Sequence, residues 1–250
     1  MSAAIALGQR SLREAARSPD AIIPTLFIPI FFLIVNTGQA AKIFPSSTPF
    51  LHGQGYGAFQ LPTTLLLASS FGAAALFLVE EIEGGYFDKL RATPIPRWAI
   101  VFGRLISEGA KCVLIAAVIL LLALPFGIRI ASGPLGFLLL IALTAGWGIV
   151  FSGFMQIVAL KTRSAAATQS GGLIFFPLLF LTPNFVPRDM LTRPMEIAAT
   201  FNPVTYLMES LRSLILRDFD WAHIWPGFAV VLGLGVVMVW LNVRIIARYD

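Results

Sequence analysis

Long apolar runs alternate with short charged segments along the whole chain. The apolar runs cover six ranges, namely 21–38, 59–79, 105–126, 130–160, 164–187 and 224–243. A bilayer core about 30 Å thick needs roughly 20 helical residues at about 1.5 Å each. Buried helices of a large soluble protein would give runs of only about 10–14 residues. The pattern therefore predicts an all-α membrane protein in which residues 1–250 form a single domain with six transmembrane helices.

Composition agrees with a chain that lipid surrounds. Hydrophobic residues make up 57% and charged residues 12%, about half the roughly 25% charge of a soluble domain. Cys112 is the single cysteine, which excludes an intramolecular disulfide and a cysteine-rich metal site. The net charge of +5 does not require a nucleic-acid partner, because the position of the cations has a simpler explanation.

The cations favour one orientation. Six spans place both termini on one side, which we predict to be the cytoplasm because more cations then lie inside, as the positive-inside rule requires. The inside holds eleven: Arg10, Arg13, Arg17, Lys89, Arg91, Arg97, Arg104, Lys161, Arg163, Arg244 and Arg248. The outside holds six: Lys42, Arg129, Arg188, Arg193, Arg212 and Arg217.

Residues 2–17 have the pattern of an amphipathic helix. Their apolar and arginine side chains recur on different faces, with Ile5, Leu12 and Ala16 on one and Arg10, Arg13 and Arg17 on the other. Such a helix lies in the headgroup layer, where its arginines meet anionic lipid. A cytoplasmic tail that merely follows the positive-inside rule is the alternative.

The segment 80–104 is the most informative loop. An acidic cluster opens it, Gly84-Gly85 permits a sharp turn, and a short helix of mixed polarity ends at Pro94 and Pro96. A rigid charged helix at the cytoplasmic surface suits docking on a soluble partner. An ordinary polar loop fits the residues equally well.

The segment 186–223 is too apolar for a free loop and too interrupted to span. It predicts two short helices, 194–201 and 204–216, around Asn202-Pro203. Non-helical backbone at membrane depth needs protein or a water-filled cavity to satisfy it. We therefore favour a re-entrant helical hairpin before the last span over an amphipathic segment that lies flat on the outer surface.

Polar residues within the spans allow two interpretations. Arg104, Glu108 and Lys111 are spaced to neutralise one another on one helical face, which favours a structural role over a functional one. Other polar side chains are candidates either for a substrate pathway or for hydrogen bonds between helices; they are Gln156, Thr168, Gln169 and Ser170.

Two of these segments carry motifs that resemble the ABC-2-type transporter permease family, in particular its drug-exporter-like, daunorubicin-resistance branch. The first motif is E-x-E-x-G-x-x-x-x-L-x-x-T-P-x-x-R, matched by Glu81, Glu83, Gly85, Leu90, Thr93, Pro94 and Arg97. The second is F-x-P followed by N-P-x-x-Y-x-x-x-x-x-R, matched by Phe185, Pro187, Asn202, Pro203, Tyr206 and Arg212. A further proline of the second motif is shifted here to Pro194.

The resemblance implies a permease subunit of an ATP-binding-cassette exporter in the bacterial inner membrane. Such a subunit is not an enzyme, and this sequence lacks the phosphate loop G-x-x-x-x-G-K-[ST]. It would bind no cofactor, because ATP and Mg²⁺ would belong to two copies of a cytoplasmic ATPase subunit. A second permease subunit, identical or similar, would complete the pathway. The residues of the first motif, with Tyr86 and Arg91, would couple to the ATPase, and those of the second would form the outer gate.

The sequence leaves open the substrate and the functional class of this membrane protein. The resemblance implies export of a hydrophobic drug-like or lipid-like molecule, with a polysaccharide or glycolipid as the alternative cargo. An ion-coupled secondary transporter would need an acid near mid-bilayer, and no acid lies in the central part of a predicted span. A membrane enzyme is disfavoured because no His/Asp/Glu constellation supports it, since His52 and His223 each stand alone in an outside segment.

Overall fold

The computed structural model describes residues 19–71, 74–85 and 97–248, without the side chains of 19–24, 74–77 and 97. The described part is helical and contains no strand. Its helices are α1 Pro19–Ala40, α2 Tyr56–Ser70, α3 Ala74–Glu83, α4 Arg97–Ala123, α5 Gly133–Thr162, α6 Ala165–Gly172, α7 Phe175–Phe180, α8 Arg193–Phe201, α9 Pro203–Leu216 and α10 Trp221–Ala247. Short 3₁₀ turns occupy Pro49–Leu51, Leu124–Phe126 and Arg188–Met190. The interfacial helix predicted for 2–17 lies outside the described residues.

Three helices of the described part, α4, α5 and α10, are long and apolar enough to cross a membrane. They match the predicted third, fourth and sixth spans. Helix α5 begins at Gly133, directly after Ser132, because Pro134 is well suited to the first turn of a helix. The all-helical class is thus confirmed, whereas the count of six spans is not.

Two predicted spans are interrupted. The second apolar run forms α2, leaves the helix at Phe71 and resumes as α3. The fifth run divides into α6 and α7, because Gly171 and Gly172 end α6, in keeping with the poor helix propensity of glycine. The structure therefore divides each of these runs between two helices. Bilayer crossing by each helix pair remains a prediction.

Helix α2 lies at the centre of the packing. All fifteen of its residues are buried, and it contacts α1, α4, α5 and α9. Helix α5 also contacts α3, α4, α6 and α10, so these two helices organise the core. Helix α4 can approach α5 closely because position 148 of α5 is glycine. A Cβ added there would lie 2.3 Å from the Sγ of Cys112 on α4.

Candidate functional site

The two short helices predicted for 186–223 are present as α8 and α9, each beginning one residue earlier than expected. Asn202 separates them and caps α9, because its Oδ1 accepts a hydrogen bond of 3.0 Å from the Val204 N–H. Pro203 takes the first position of α9, where its missing N–H costs no helical bond. The Nδ2 of Asn202 also donates to the Leu178 carbonyl. A re-entrant position of this pair in the bilayer remains a prediction.

Helix α9 belongs to the core. Eleven of its fourteen residues are buried, and it packs against α2, α5 and α10. Ser210 ties it to the start of α10, since its Oγ donates to the His223 carbonyl and accepts from the Gly227 N–H, each at 3.0 Å. This burial explains why the connection is too apolar for a free loop, and it does not agree with α9 lying flat on a surface.

Arg212 is the central side chain of α9. It is 8% exposed, and its guanidinium carbon lies 3.5 Å from the Phe59 ring centroid on α2. Its Nη1 donates to the Pro183 carbonyl at 3.0 Å and its Nε to the Phe59 carbonyl at 3.4 Å. A planar fork with several donors suits this arrangement better than an ammonium group. Arg212 therefore connects α2, α9 and the chain before Phe185.

A polar network beside Arg212 joins α2 to residues 184 and 185. The Tyr56 hydroxyl donates to the Phe185 carbonyl at 2.7 Å. The Gln60 amide donates to Tyr56 Oη and to the Asn184 carbonyl, at 2.8 and 3.2 Å, and the Thr63 hydroxyl donates to Asn184 Oδ1 at 2.5 Å. Sequence reasoning missed these residues. The spacing of positions 56, 60 and 63, one helical face inside an apolar run, is the signal that could have found the α2 members.

A cavity of about 300 Å³ opens beside this network. Pro187 and Arg212 line it, together with His52, Arg217 and His223, so the histidines that the sequence places far apart share one cavity. Arg217 Nε lies 3.3 Å from His52 Nε2. Hydrogen bonds from His223, above all, and from the Ala222 N–H hold the pKa of Asp220 below its usual range.

Arg188 and Tyr206 form the rim of this region. Arg188 makes a bidentate ion pair with Glu209, both bonds being 3.0 Å long, and its guanidinium lies 5.4 Å from the Tyr206 ring centroid. The Tyr206 hydroxyl donates to the Thr200 carbonyl at 2.8 Å, which connects α9 back to α8. The residues of the second motif thus occupy two places. Pro187 and Arg212 line the cavity and the Phe185 carbonyl accepts from Tyr56 beside it, whereas Asn202, Pro203 and Tyr206 lie at the start of α9.

The structure describes the two ends of the segment 80–104, which are residues 80–85 and 97–104. Helix α3 ends at Glu83, and Gly85 then adopts a positive φ of 67°, a conformation that glycine accepts without a steric penalty. Glu81 forms an ion pair with Arg104 of α4, so the two ends of the segment are joined. Glu83 is exposed. Five coupling candidates lie outside the described residues, as does the side chain of Arg97: Tyr86, Leu90, Arg91, Thr93 and Pro94.

The intramembrane charges divide into two pairs. Lys111 Nζ lies 2.5 Å from Glu108 Oε2, and both side chains are largely buried. The sequence predicts that Arg104 completes a self-neutralising trio with these two residues. The structure instead pairs Arg104 with Glu81 on α3, because a neighbouring helix brings a carboxylate close to it.

The four pathway candidates have different surroundings. Gln156 and Thr168 are buried, and both bond within their own helical segment, Gln156 to Ser152 Oγ and Thr168 to the Ser164 carbonyl. Gln169 and Ser170 are exposed. Only the latter two present polar side chains at the surface of this chain.

Comparison with known proteins adds two findings. The profile of the ABC-2 type transporter family matches residues 2–216. The chain is also 24% identical over 242 residues to a protein of Streptomyces coeruleorubidus described as "Daunorubicin resistance ABC transporter permease protein DrrB1". That similarity covers 94% of this chain and 83% of the relative.

Proposed function

This chain belongs to the ABC-2 type transporter family, and on that premise we propose that it carries a hydrophobic drug-like or lipid-like substrate out of the cytoplasm. It is the membrane subunit of an ATP-binding-cassette exporter. The observation that carries the substrate class is the likeness to a drug-resistance permease over 94% of the chain.

The described residues offer a place for an apolar substrate. A cavity of about 400 Å³ lies between α1, α2 and α4, within the range of roughly 300–1,000 Å³ typical of small-molecule sites. Its walls are mainly aliphatic and aromatic, with Ile34, Leu122 and Phe126 among them. Thr37 and Tyr56 are the lining residues with polar side chains, and the Tyr56 hydroxyl is already bonded to Phe185 and Gln60. Such a lining suits a largely apolar ligand with few polar atoms better than a sugar chain.

Transport requires ATP hydrolysis elsewhere. In the proposed complex, two copies of a cytoplasmic ATPase subunit hold ATP and Mg²⁺, and a second permease subunit, identical or similar, encloses the pathway with this one. The segment 84–97 docks on the ATPase. The Glu81–Arg104 ion pair ties the end of α3 to α4 at the base of that segment, so a push on the segment reaches both helices together.

The α8–α9 pair closes the outer side in this proposal, with both termini of the chain in the cytoplasm. Support comes from the hydrogen bonds of Arg212 and Asn184 to residues distant in sequence, because such contacts couple α9 to α2. A shift of α2 relative to α4 would then alter the outer end of the same bundle.

The test is reconstitution with the ATPase encoded beside this gene. We expect co-purification and an ATP hydrolysis rate that a hydrophobic drug stimulates. Scrambling residues 86–96 should abolish the stimulation while the membrane part stays folded, whereas scrambling 43–48, a loop at the opposite end, should not. Unchanged stimulation after the first scramble would refute the docking assignment.

Transport and hydrolysis assays in the same reconstituted vesicles distinguish the proposed function from its two alternatives. Transport driven by an ion gradient without any ATPase subunit would establish a secondary transporter instead. Stimulation by a lipid-linked oligosaccharide but by no hydrophobic drug would establish the glycolipid or polysaccharide cargo.

A further inference from the structure

A basic groove lies between the C-terminal ends of α5 and α10. It has a volume of about 580 Å³, and the cations in its wall are Lys161, Arg163, Arg244 and Arg248. Leu160, Leu241 and Ile245 complete the wall, so no described residue that lines the groove is acidic. The groove therefore combines four positive charges with an apolar floor.

The negative ends of the two helix dipoles neutralise only part of the positive charge in this groove. Each helix C-terminus is equivalent to about half a negative charge, so the ends of α5 and α10 together contribute about one. Lys161, Arg244 and Arg248 alone exceed this, with three positive charges against about one negative charge. An anion bound in the groove would therefore meet net attraction.

The exposed surface of α10 continues from the groove in an ordered way. Leu232, Val236 and Trp240 are 65%, 70% and 54% exposed, and Arg244 and Arg248 follow at the same spacing of four residues. Residues four apart are neighbours along a helix. The ridge is thus apolar over about 12 Å and cationic over the next 12 Å, at about 1.5 Å per residue.

Trp240 marks the level of the boundary between the two halves. The Arg244 guanidinium lies 5.0 Å from the centroid of its ring, and exposed tryptophan is enriched where a bilayer meets water. The apolar part of the ridge then faces acyl chains, and the cationic part lies at headgroup depth.

We propose that the groove binds the phosphate headgroup of an anionic phospholipid, whose acyl chains lie along Leu232, Val236 and Trp240. A basic pocket between membrane helices is a recognised form of lipid headgroup site. A free phosphate would share the charge complementarity, but it would leave the apolar ridge unused. The proposal is independent of the exported substrate.

Native mass spectrometry of the full-length chain tests the proposal. In detergent with equal amounts of phosphatidylglycerol and phosphatidylcholine of matched acyl chains, we expect preferential retention of phosphatidylglycerol. R244Q/R248Q should reduce that preference by roughly fivefold for each arginine removed. The matched control K42Q/R129Q removes the same charge at the opposite end and should keep the preference. Equal retention of both lipids by the unaltered protein would overturn the proposal, as would an unchanged preference in R244Q/R248Q.

A second measurement needs no variant and so remains informative if R244Q/R248Q does not fold. Lys161 and Lys42 are both exposed, and acylation by an amine reagent can be followed at each in lipid nanodiscs. Phosphatidylglycerol should slow acylation of Lys161 relative to Lys42, and phosphatidylcholine should not. Equal protection by excess inorganic phosphate in phosphatidylcholine would identify a free-anion site and overturn the lipid assignment.

Discussion

The guanidinium carbon of Arg212 lies 3.5 Å from the centroid of the Phe59 ring, between α9 and α2. The same side chain donates to the carbonyls of Phe59 and Pro183. A desolvated cation over an aromatic ring contributes about 2 kcal/mol, and each hydrogen bond from a charged group about 1.5–3 kcal/mol. One residue of α9 therefore holds two separate parts of the chain in place.

Replacing Arg212 should destabilise the fold in a graded way. We expect R212M to lower the free energy of unfolding by about 2–4 kcal/mol, because the carbonyls of Phe59 and Pro183 lose a charged donor. R212K should lie between R212M and the unaltered protein, since it keeps the charge but loses the planar fork. Denaturation in detergent micelles measures both. R193Q is the matched control, because Arg193 is exposed and pairs only at the surface with Glu196, where such a pair contributes about 0–1 kcal/mol. Equal stabilities of R212M and R193Q would contradict the structural role of Arg212.

Asn202 makes two separable contributions. N202A should lower the free energy of unfolding by about 1–3 kcal/mol, because it removes both the cap on α9 and the hydrogen bond to Leu178. N202S keeps a capping hydroxyl and should recover part of the loss. Thermal unfolding of the two variants is the measurement, and N202S as unstable as N202A would show that the cap contributes nothing.

The Glu108–Lys111 pair should behave as a coupled unit. E108Q and K111M each leave one buried charge without its partner, at a cost of about 3–5 kcal/mol. The double variant E108Q/K111M should cost less than the sum of the two, because no charge is then stranded. A double-mutant cycle on unfolding free energy measures this coupling. Additive costs would argue against the ion pair, and loss of transport in a stable double variant would argue against a purely structural role.

The close contact at Gly148 predicts that a second substitution can partly reverse the destabilising effect of G148A. G148A places a methyl group 2.3 Å from Cys112 Sγ and should cost about 1–3 kcal/mol through overpacking. The second substitution C112A removes that sulfur and should restore part of the loss. Rescue should be partial, because the Cβ of residue 112 stays 3.1 Å from the added carbon. Protein yield after solubilisation and thermal unfolding report both effects, and a G148A protein as stable as the original would contradict the close packing.

The Glu81–Arg104 pair predicts a coupling defect. In the complete transporter, E81Q and R104Q should each lower substrate-stimulated ATP hydrolysis several-fold while basal hydrolysis persists, because α3 and α4 are no longer tied together at the base of the docking segment. The exchanged pair E81R/R104E should recover part of the stimulation. E196Q, on α8, is the matched control for the loss of one carboxylate. Full stimulation in both single variants would exclude a coupling role for the pair.

Run length and local motifs predicted the long helices and the α8–α9 pair. Long apolar runs predicted α4, α5 and α10, and the Asn202-Pro203 step predicted the boundary between α8 and α9. The breaks at Phe71 and after Gly172 were not predicted, because hydropathy does not distinguish one long helix from two short ones. Arg104 was assigned to the wrong carboxylate for a related reason, since its partner Glu81 belongs to another helix.

The polar network around Asn184 was harder to predict. Gln60 and Thr63 find their partner at Asn184, and no local pattern connects positions so far apart. Helix α2 is buried on every side, so it has no amphipathic face that would show which neighbour each residue meets.

The contact between Gln60 and Asn184 also sets an order of events during synthesis. The two residues are 124 positions apart, which corresponds to about 6–25 s at roughly 5–20 residues per second. During that interval the Gln60 amide cannot reach the Asn184 carbonyl, although most of its neighbours on α2 are apolar. We therefore expect α2 to stay beside water or the insertion machinery until the chain beyond Pro183 has emerged, so that the centre of the folded protein is among the last parts to settle.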